Sequence, residues 1–217
     1  MKSVSAFMMS TLLLIIFTAC GNDMSREYWE NGNIRQELGY KDGKLHGVCT
    51  WYYENGKPQM MVTYEDNVMN GPSKRWHENG NIFEEKNYKS NKLDGIFREY
   101  SLAGIIIAEV HYVDGVLEGE SMKWYENGQV FMEGQYVDGM MDGSWFMFYS
   151  DGSLAGTAVY EMGDGIQVGY EQSGYKCYTV SYKDNLKDGK EIYYNPDGTI
   201  SKESIYDKGE LVEERFP

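Results

Sequence analysis

A unit of about 24 residues recurs eight times along this 217-residue chain and constrains its fold more than any other feature. In every copy a tyrosine follows a glycine at a distance of eight residues, and the sixth copy is shortened to 22 residues. A repeat of this length is one supersecondary unit that stacks on its neighbours, so the sequence predicts one array of equivalent units. The glycines are Gly32, Gly56, Gly80, Gly104, Gly128, Gly152, Gly174 and Gly198, and the tyrosines are Tyr40, Tyr64, Tyr88, Tyr112, Tyr136, Tyr160, Tyr182 and Tyr206.

Each copy contains two runs of strand length that are separated by turn residues. The first turn reads Glu-Asn-Gly in four copies, and the second reads Asp-Gly or Asp-Asn in most. Such pairs tolerate the positive φ angles of type I′ hairpin turns. We therefore predict an all-β protein whose eight β-hairpins, with sixteen strands, form one extended, curved antiparallel sheet, with a closed β-barrel as the alternative.

The strand register follows if Asn and Gly are the two central residues of the first turn. Opposite charges then meet across the hairpin in several copies. Exposed pairs of this kind contribute a few tenths of a kcal/mol up to about 1 kcal/mol each, so their main effect is on register. The predicted pairs are Glu54 with Lys57, Arg26 with Glu37, Lys74 with Glu85 and Arg98 with Glu109.

Glutamate recurs at one repeat position, which we call the acid column: Glu37, Glu85, Glu109, Glu133 and Glu203. Successive members would lie about 10 Å apart if two strand spacings separate them. One interpretation is a solvated face whose charges prevent edge pairing and aggregation. The other is an acidic track that binds a basic partner, with Glu85, Glu109 and Glu133 as its candidate contacts.

Aromatic residues also recur along the repeats, and they too have two interpretations. Core packing and cross-strand contact are the ordinary role of such columns in a sheet. Alternatively, Trp51, Trp76, Trp124 and Tyr125 are exposed and bind sugar rings or the apolar anchor of a partner.

Charge and residue pattern exclude several classes of function. With 20 Lys plus Arg against 34 Asp plus Glu, the chain carries a formal charge of −14 and lacks the basic footprint of a nucleic-acid-binding protein. His46, His77 and His111 stand at different repeat positions, and neither a catalytic serine motif nor a phosphate-binding loop occurs. We therefore predict no catalytic residue, no metal, no cofactor and no enzymatic activity. Cys49 and Cys177 lie in distant copies, which predicts two free thiols.

The first 19 residues are typical of a signal peptide. Lys2 is followed by an apolar run that is shorter than the roughly 20 residues of a spanning helix. The segment Phe17-Thr-Ala-Cys20 resembles the lipobox of bacterial lipoproteins. This resemblance implies a signal peptide over 1–19, a lipidated Cys20 with a short linker over 20–27, and a repeat domain over 28–217.

The repeats themselves resemble the MORN-variant repeat, which occurs in bacterial proteins often labelled as antitoxins. The nearest matches are Trp124-Tyr-Glu-Asn-Gly-Gln-Val130 and Tyr136-Val-Asp-Gly-Met-Met-Asp-Gly143. The resemblance covers residues 28–212 and implies hairpin arrays that bind proteins or membranes, without implying a reaction.

Together these features predict a lipid-anchored protein on the extracytoplasmic side of a bacterial envelope, on the outer membrane if the cell is Gram-negative. Its expected role is an acidic scaffold for a protein partner, and the family resemblance implies an immunity-like or antitoxin-like system. The alternatives are a carbohydrate-binding surface lipoprotein and a structural envelope component.

Overall fold

The computed structural model describes residues 23–217, which form one antiparallel sheet of 19 strands. Many strands alternate inward and outward residues in the manner of a pleated sheet, as β-branched and aromatic side chains favour. The strands are β1 (Asp23–Tyr28), β2 (Ile34–Lys41), β3 (Lys44–Leu45), β4 (Gly47–Tyr52), β5 (Pro58–Glu65), β6 (Val68–Trp76), β7 (Ile82–Lys89), β8 (Lys92–Leu93), β9 (Gly95–Tyr100), β10 (Ile106–Val113), β11 (Val116–Trp124), β12 (Val130–Val137), β13 (Met140–Phe148), β14 (Leu154–Glu161), β15 (Asp164–Tyr170), β16 (Lys176–Lys183), β17 (Leu186–Tyr194), β18 (Ile200–Asp207) and β19 (Glu210–Arg215).

The strands follow one another as a meander, because each pairs with its neighbours in the sequence. The two-residue strands β3 and β8 pair with β2 and β7, beside β4 and β9. Within the described residues, β1 pairs only with β2 and β19 only with β18, so the sheet is open. The predicted all-β hairpin array is confirmed, and the alternative of a closed barrel is wrong.

The sheet extends further at both ends than the sequence predicted. β1 begins at Asp23, so residues 23–27, which were assigned to a linker, already belong to the sheet. β19 follows the second turn of the eighth copy and adds a strand to the sixteen expected. Because β3 and β8 only extend β4 and β9, the 19 strands occupy 17 positions.

The first turn of each copy differs from the predicted two-residue type I′ turn. In the second copy, the Gly56 amide donates to the Tyr53 carbonyl at 2.9 Å, and the Tyr53 amide donates to the Lys57 carbonyl at 2.8 Å. Only Gly56 has a positive φ, of 81°, among the turn residues, so Glu54 and Asn55 are the central residues. This is a three-residue loop with a glycine bulge, and the predicted facing of Glu54 and Lys57 is wrong. The equivalent glycine has a positive φ in all eight copies.

A second irregularity nonetheless restores the predicted register. Tyr52 is paired with Pro58 next to the loop, and Trp51 is paired with Met60, so Gln59 is an extra residue on its strand. A bulge of this kind shifts the pairing by one residue. The three-residue loop shifts the pairing by one residue, and the bulge at Gln59 cancels this shift. Beyond the bulge, the two strands therefore pair as they would across a two-residue turn.

The second turn is the predicted type I′ turn. Asp66 and Asn67 have φ angles of 52° and 70°, and Glu65 pairs with Val68 across them. Turns of neighbouring copies are also joined to each other: the Gly139 amide donates to the Leu117 carbonyl at 2.9 Å. These contacts hold the copies at a fixed spacing along the sheet.

The shortened sixth copy changes this contact between turns. The Asn185 side chain accepts a hydrogen bond from the Met141 amide at 2.8 Å and donates one to the Gly139 carbonyl at 2.9 Å, so it spans the position of the missing residues. Asn185 therefore links the seventh copy directly to the fifth.

Alternation divides the side chains between two surfaces, which we call face A and face B. Face A carries the recurring tyrosines and the main hydrophobic cluster of Trp145, Ala158 and Tyr160. The Trp145 ring packs edge-on against Tyr136 at 5.1 Å between centroids and against Tyr160 at 6.4 Å. It also covers Gly134, where an added Cβ would lie 2.1 Å from the indole. The acid column lies on face B, opposite this core.

Candidate interaction surface on face B

Face B of the first four copies carries a row of ion pairs, which we call the ion-paired stretch. The predicted register pairs are present in the backbone pairing and in side-chain contacts. The contacts are Arg26 Nε to Glu37 Oε1 at 2.6 Å, Lys74 Nζ to Glu85 Oε1 at 2.5 Å, and Arg98 Nε to Glu109 Oε2 at 2.6 Å. Three of the four predicted charge pairs are therefore confirmed, all except Glu54 with Lys57.

Tyrosines reinforce two of these pairs from the neighbouring copy. The Tyr52 hydroxyl donates to Glu37 and the Tyr100 hydroxyl donates to Glu85, both at 2.7 Å. The hydrogen bonds from Tyr52 and then Arg26 lower the pKa of Glu37, and those from Lys74 and then Tyr100 lower the pKa of Glu85. Burial and the Glu85 contact raise the pKa of Tyr100 to about 12. Glu37 and Glu85 are thus held ionised, each with a basic side chain and a tyrosine hydroxyl as partners.

Glu133 occupies the same repeat position as Glu85, but its neighbours are different. Lys74 and Arg98 pair with Glu85 on its two sides, and Met122 and Phe146 take these places beside Glu133. Tyr100 is replaced in the same way by Phe148, which has no hydroxyl. Each of the other four acids has a basic partner within 4.0 Å, whereas Glu133 forms no ion pair or side-chain hydrogen bond with the residues that the structure describes.

Beyond Glu133, face B of copies five to seven carries mainly apolar side chains, with the hydroxyls of Ser144 and Thr157 between them. Val159 pairs with Ile166, and their side chains are 67% and 57% exposed. Phe146 is 39% exposed and stacks on Phe148 with 6.5 Å between ring centroids. We call the set formed by Met122, Phe146, Phe148, Val159, Ile166 and Val168 the apolar stretch.

Two clefts border the Glu133 carboxylate. The larger, with a volume of about 440 Å³, is lined on face B by Glu120, Met122, Glu133, Gln135 and Phe146, among others. The smaller, of about 210 Å³, is lined by Val130, Glu133 and Phe148 and by the turn residues Gln129 and Gly152. An unpartnered carboxylate between apolar walls can accept a cation whose stem is aliphatic or whose charge is delocalised.

The four aromatic residues singled out from the sequence do not form one platform. Trp51 lies on face A and Trp76 and Trp124 lie on face B, and all four side chains are half-buried. The Tyr125 hydroxyl donates to the Phe148 carbonyl at 2.9 Å and its ring packs edge-on against Phe131. Of the predicted acids, Glu85 and Glu109 are occupied by the chain's own cations, and Glu133 alone is free.

Sequence reasoning did not single out Met122, Phe146 or Phe148 as functional residues. Each is ordinary when its own copy is considered in isolation, because apolar residues are common in strands. They differ from the residues that lie 11, 13 and 15 positions from the acid in the other copies. Aligning the repeats on the acid-column position would have shown this difference.

The described residues also bear on other kinds of site. Cys49 is buried, Cys177 is half-buried, and both are free thiols. Over residues 23–217 there is no cluster of His, Cys, Asp and Glu that could bind a metal ion. That part of the chain also contains no helix with the length and apolar character needed to span a bilayer. The predicted signal peptide and the lipidated Cys20 lie outside the described residues.

Comparison with known proteins gives a family match for five of the repeats. The family model described as MORN repeat variant matches residues 25–42, 45–66, 69–90, 117–138 and 187–208. A comparison with curated proteins gave no match. MORN repeats are commonly involved in protein or membrane interactions. Five of the hairpin repeats thus match the MORN repeat variant, and the repeated hairpins of the sheet are consistent with such repeats.

Proposed function

We propose that this protein is a scaffold for protein interactions rather than an enzyme, and that the apolar stretch on face B is its contact surface. The observation that carries the proposal is the change along face B from partnered charges to exposed apolar side chains, including Val159 and Ile166. Contiguous exposed apolar surface on a soluble domain marks an interaction site. The open sheet supports the proposal because consecutive copies present their side chains along one extended surface.

The place of action that we propose is the bacterial envelope. The apolar segment before Cys20 and the small residues around it support export and lipid attachment. Several acyl chains on one residue are enough for stable membrane anchoring. The repeat domain would then face the extracytoplasmic side, on the outer membrane in a Gram-negative cell, and an immunity-like or antitoxin-like role would be exercised there against a protein partner.

The test is co-purification from detergent-solubilised native envelopes with the full chain as bait. We expect one protein to co-purify in stoichiometric amounts with the wild-type chain, and not with a Val159→Asp/Ile166→Asp variant that keeps its circular dichroism spectrum. A Cys20→Ala variant tests the anchor, since it should leave the membrane fraction. Recovery of the bait alone, or equal recovery of the partner with the double variant, would contradict the proposed contact surface.

A second candidate function, glycan binding, is favoured by a different cleft. Trp124, Tyr125 and Phe131 line a space of about 380 Å³ together with the polar groups of Glu99 and Lys123. Aromatic rings beside polar groups are suited to sugar recognition, because one ring face can stack on the sugar while a carboxylate accepts hydrogen bonds from sugar hydroxyls and an ammonium donates to them. Binding of the full chain on a glycan array, abolished by Trp124→Ala, would support this function, and an array without signal would reject it.

A further inference from the structure

We infer that Glu133 is the binding site for an arginine side chain of the protein partner. This inference deepens the proposed scaffold function and rests on it, since it names the chemistry of the partner at one point of face B. The partner segment that fits is an extended peptide in which arginine stands between apolar residues.

The repeat architecture itself shows what the Glu133 position accepts. At the equivalent Glu85, a lysine and an arginine of the chain flank the acid, and at Glu37 and Glu109 an arginine Nε contacts the carboxylate at 2.6 Å. The local backbone pairing is the same in these copies. A basic side chain can therefore reach this carboxylate on this surface, and around Glu133 residues 23–217 do not supply one.

The surroundings of Glu133 favour arginine over a small inorganic cation. Met122 and Phe146 flank the acid on its two neighbouring strands, and Phe148 stacks on Phe146. A guanidinium is planar and weakly hydrated, so it stacks on aromatic rings and binds a carboxylate through two parallel hydrogen bonds. A metal ion prefers several oxygen ligands, and the side-chain oxygens that share the cleft with Glu133 come from Glu120, Gln135 and Ser144, of which Glu120 alone is a carboxylate.

Charge and shape agree with a basic, partly apolar peptide. The chain carries a formal charge of −14, which attracts a cationic segment from solution. The cleft volume of about 440 Å³ falls within the range of roughly 300–1,000 Å³ that is typical of ligand sites. Val159 and Ile166 continue the surface away from Glu133 and can contact the apolar residues on one side of the arginine.

The test uses two probe peptides, acetyl-Ser-Ile-Arg-Ile-Ser-amide and the same peptide with citrulline in place of arginine. Citrulline keeps the shape of arginine but is neutral. The full chain in detergent micelles, with labelled glutamate and phenylalanine side chains, is titrated with each peptide and followed by nuclear magnetic resonance. We expect shifts of Glu133 and Phe146 signals, with an affinity at least about tenfold higher for the arginine peptide, as for a hydrogen bond to a charged group.

Three variants separate this site from general electrostatics. Glu133→Gln should reduce the affinity for the arginine peptide to that of the citrulline peptide. Glu85→Gln removes the same charge at the partnered position and should leave the affinity within about twofold, because long-range charge is screened at physiological salt. Met122→Arg, which copies the arrangement of Arg98 with Glu109, should block the peptide by placing the chain's own guanidinium on Glu133.

The outcomes distinguish this inference from the scaffold function. Equal affinity for the two peptides, or unchanged binding in Glu133→Gln, would overturn the arginine site. If an envelope protein still co-purifies with Glu133→Gln at wild-type yield, the scaffold function stands and the arginine site is rejected. If the arginine peptide binds as expected but no envelope protein is recovered, the site stands and the proposed partner does not.

Discussion

The two halves of face B carry different side chains on the same type of sheet surface. In the ion-paired stretch, opposite charges such as Lys74 and Glu85 fix the register and cover the sheet. In the apolar stretch, Phe146 and Thr157 stand at the corresponding strand positions, and the packing that holds these copies together lies on face A around Trp145. Because stability in the second half comes from face A, its face B is available for contacts outside the chain.

The largest expected effect is on the free energy of unfolding, when a side chain is removed from the core on face A. Trp145→Ala removes a side chain that is only 2% exposed and should lower the free energy of unfolding by about 3–5 kcal/mol. Phe97 stands at the same repeat position in the ion-paired half, is less buried, and packs edge-on against Tyr112. Phe97→Ala should therefore cost clearly less in urea denaturation. Equal costs would mean that the two halves do not differ in where their packing energy lies.

Acid should weaken the ion-paired stretch. The pKa values of Glu37 and Glu85 are lowered from the ordinary value of 4.5, so the unfolded chain takes up protons before the folded chain does. The stabilisation is complete above about pH 4.5 and is lost as the pH falls through the lowered pKa values. We expect about 1 kcal/mol per pair and a smaller loss between pH 6 and pH 3 in Glu85→Gln than in the wild type. The free energy of unfolding is measured at both pH values. An equal loss of it in Glu85→Gln and in the wild type would contradict this role of the ion pairs.

The surroundings of Glu85 in the third copy can be converted into those of Glu133 in the fifth. Lys74→Met with Arg98→Phe gives Glu85 the two strand neighbours that Glu133 has. Because it removes the pairs of Lys74 with Glu85 and of Arg98 with Glu109, it should cost up to about 1 kcal/mol for each pair. It should also raise the pKa of Glu85 relative to the wild type, because the Lys74 contact is the largest cause of its lowering. Side-chain carboxyl titration by nuclear magnetic resonance measures this change. An unchanged pKa of Glu85 would show that the side chains at positions 74 and 98 do not cause the difference between the two halves of face B.

The smallest effect on stability is expected at the exposed pair Val159 and Ile166. Replacing both with threonine keeps the β-branched shape and should change the free energy of unfolding by no more than about 0.5 kcal/mol per site, as for most surface substitutions. Binding of a hydrophobic dye and retention on a hydrophobic column should nevertheless fall. A loss of stability comparable to that of Trp145→Ala would show instead that this pair belongs to the core.

The fold could be predicted from sequence because glycine, asparagine and tyrosine report turn and strand positions in every copy. The details of the first turn could not, since an Asn-Gly pair is compatible with both a two-residue turn and a three-residue loop with a glycine bulge. The predicted charge pairs survived this error only because the extra residue Gln59 shifts the register back. A local error in the loop therefore left the long-range pairing correct.

The candidate site was predicted only in part. Glu133 was recognised as one of five equivalent acids, but its distinction depends on residues 11, 13 and 15 positions away that only strand pairing brings beside it. The partial burial of Trp76 and Trp124 was also beyond the sequence, because alternation assigns a face without giving the degree of exposure. Which acid lacks a partner is thus a property of the whole sheet.

The meander gives the molecule a distinct response to mechanical force. Since each strand is bonded only to its neighbours in the sequence, tension along the array acts across the strands and opens their hydrogen bonds one after another instead of all together. One copy, once peeled from the sheet, would lengthen the chain by roughly 80 Å at the usual 3.4 Å per residue. Such an array behaves as a stepwise extensible tether, which yields at low force and lengthens in increments set by its repeat.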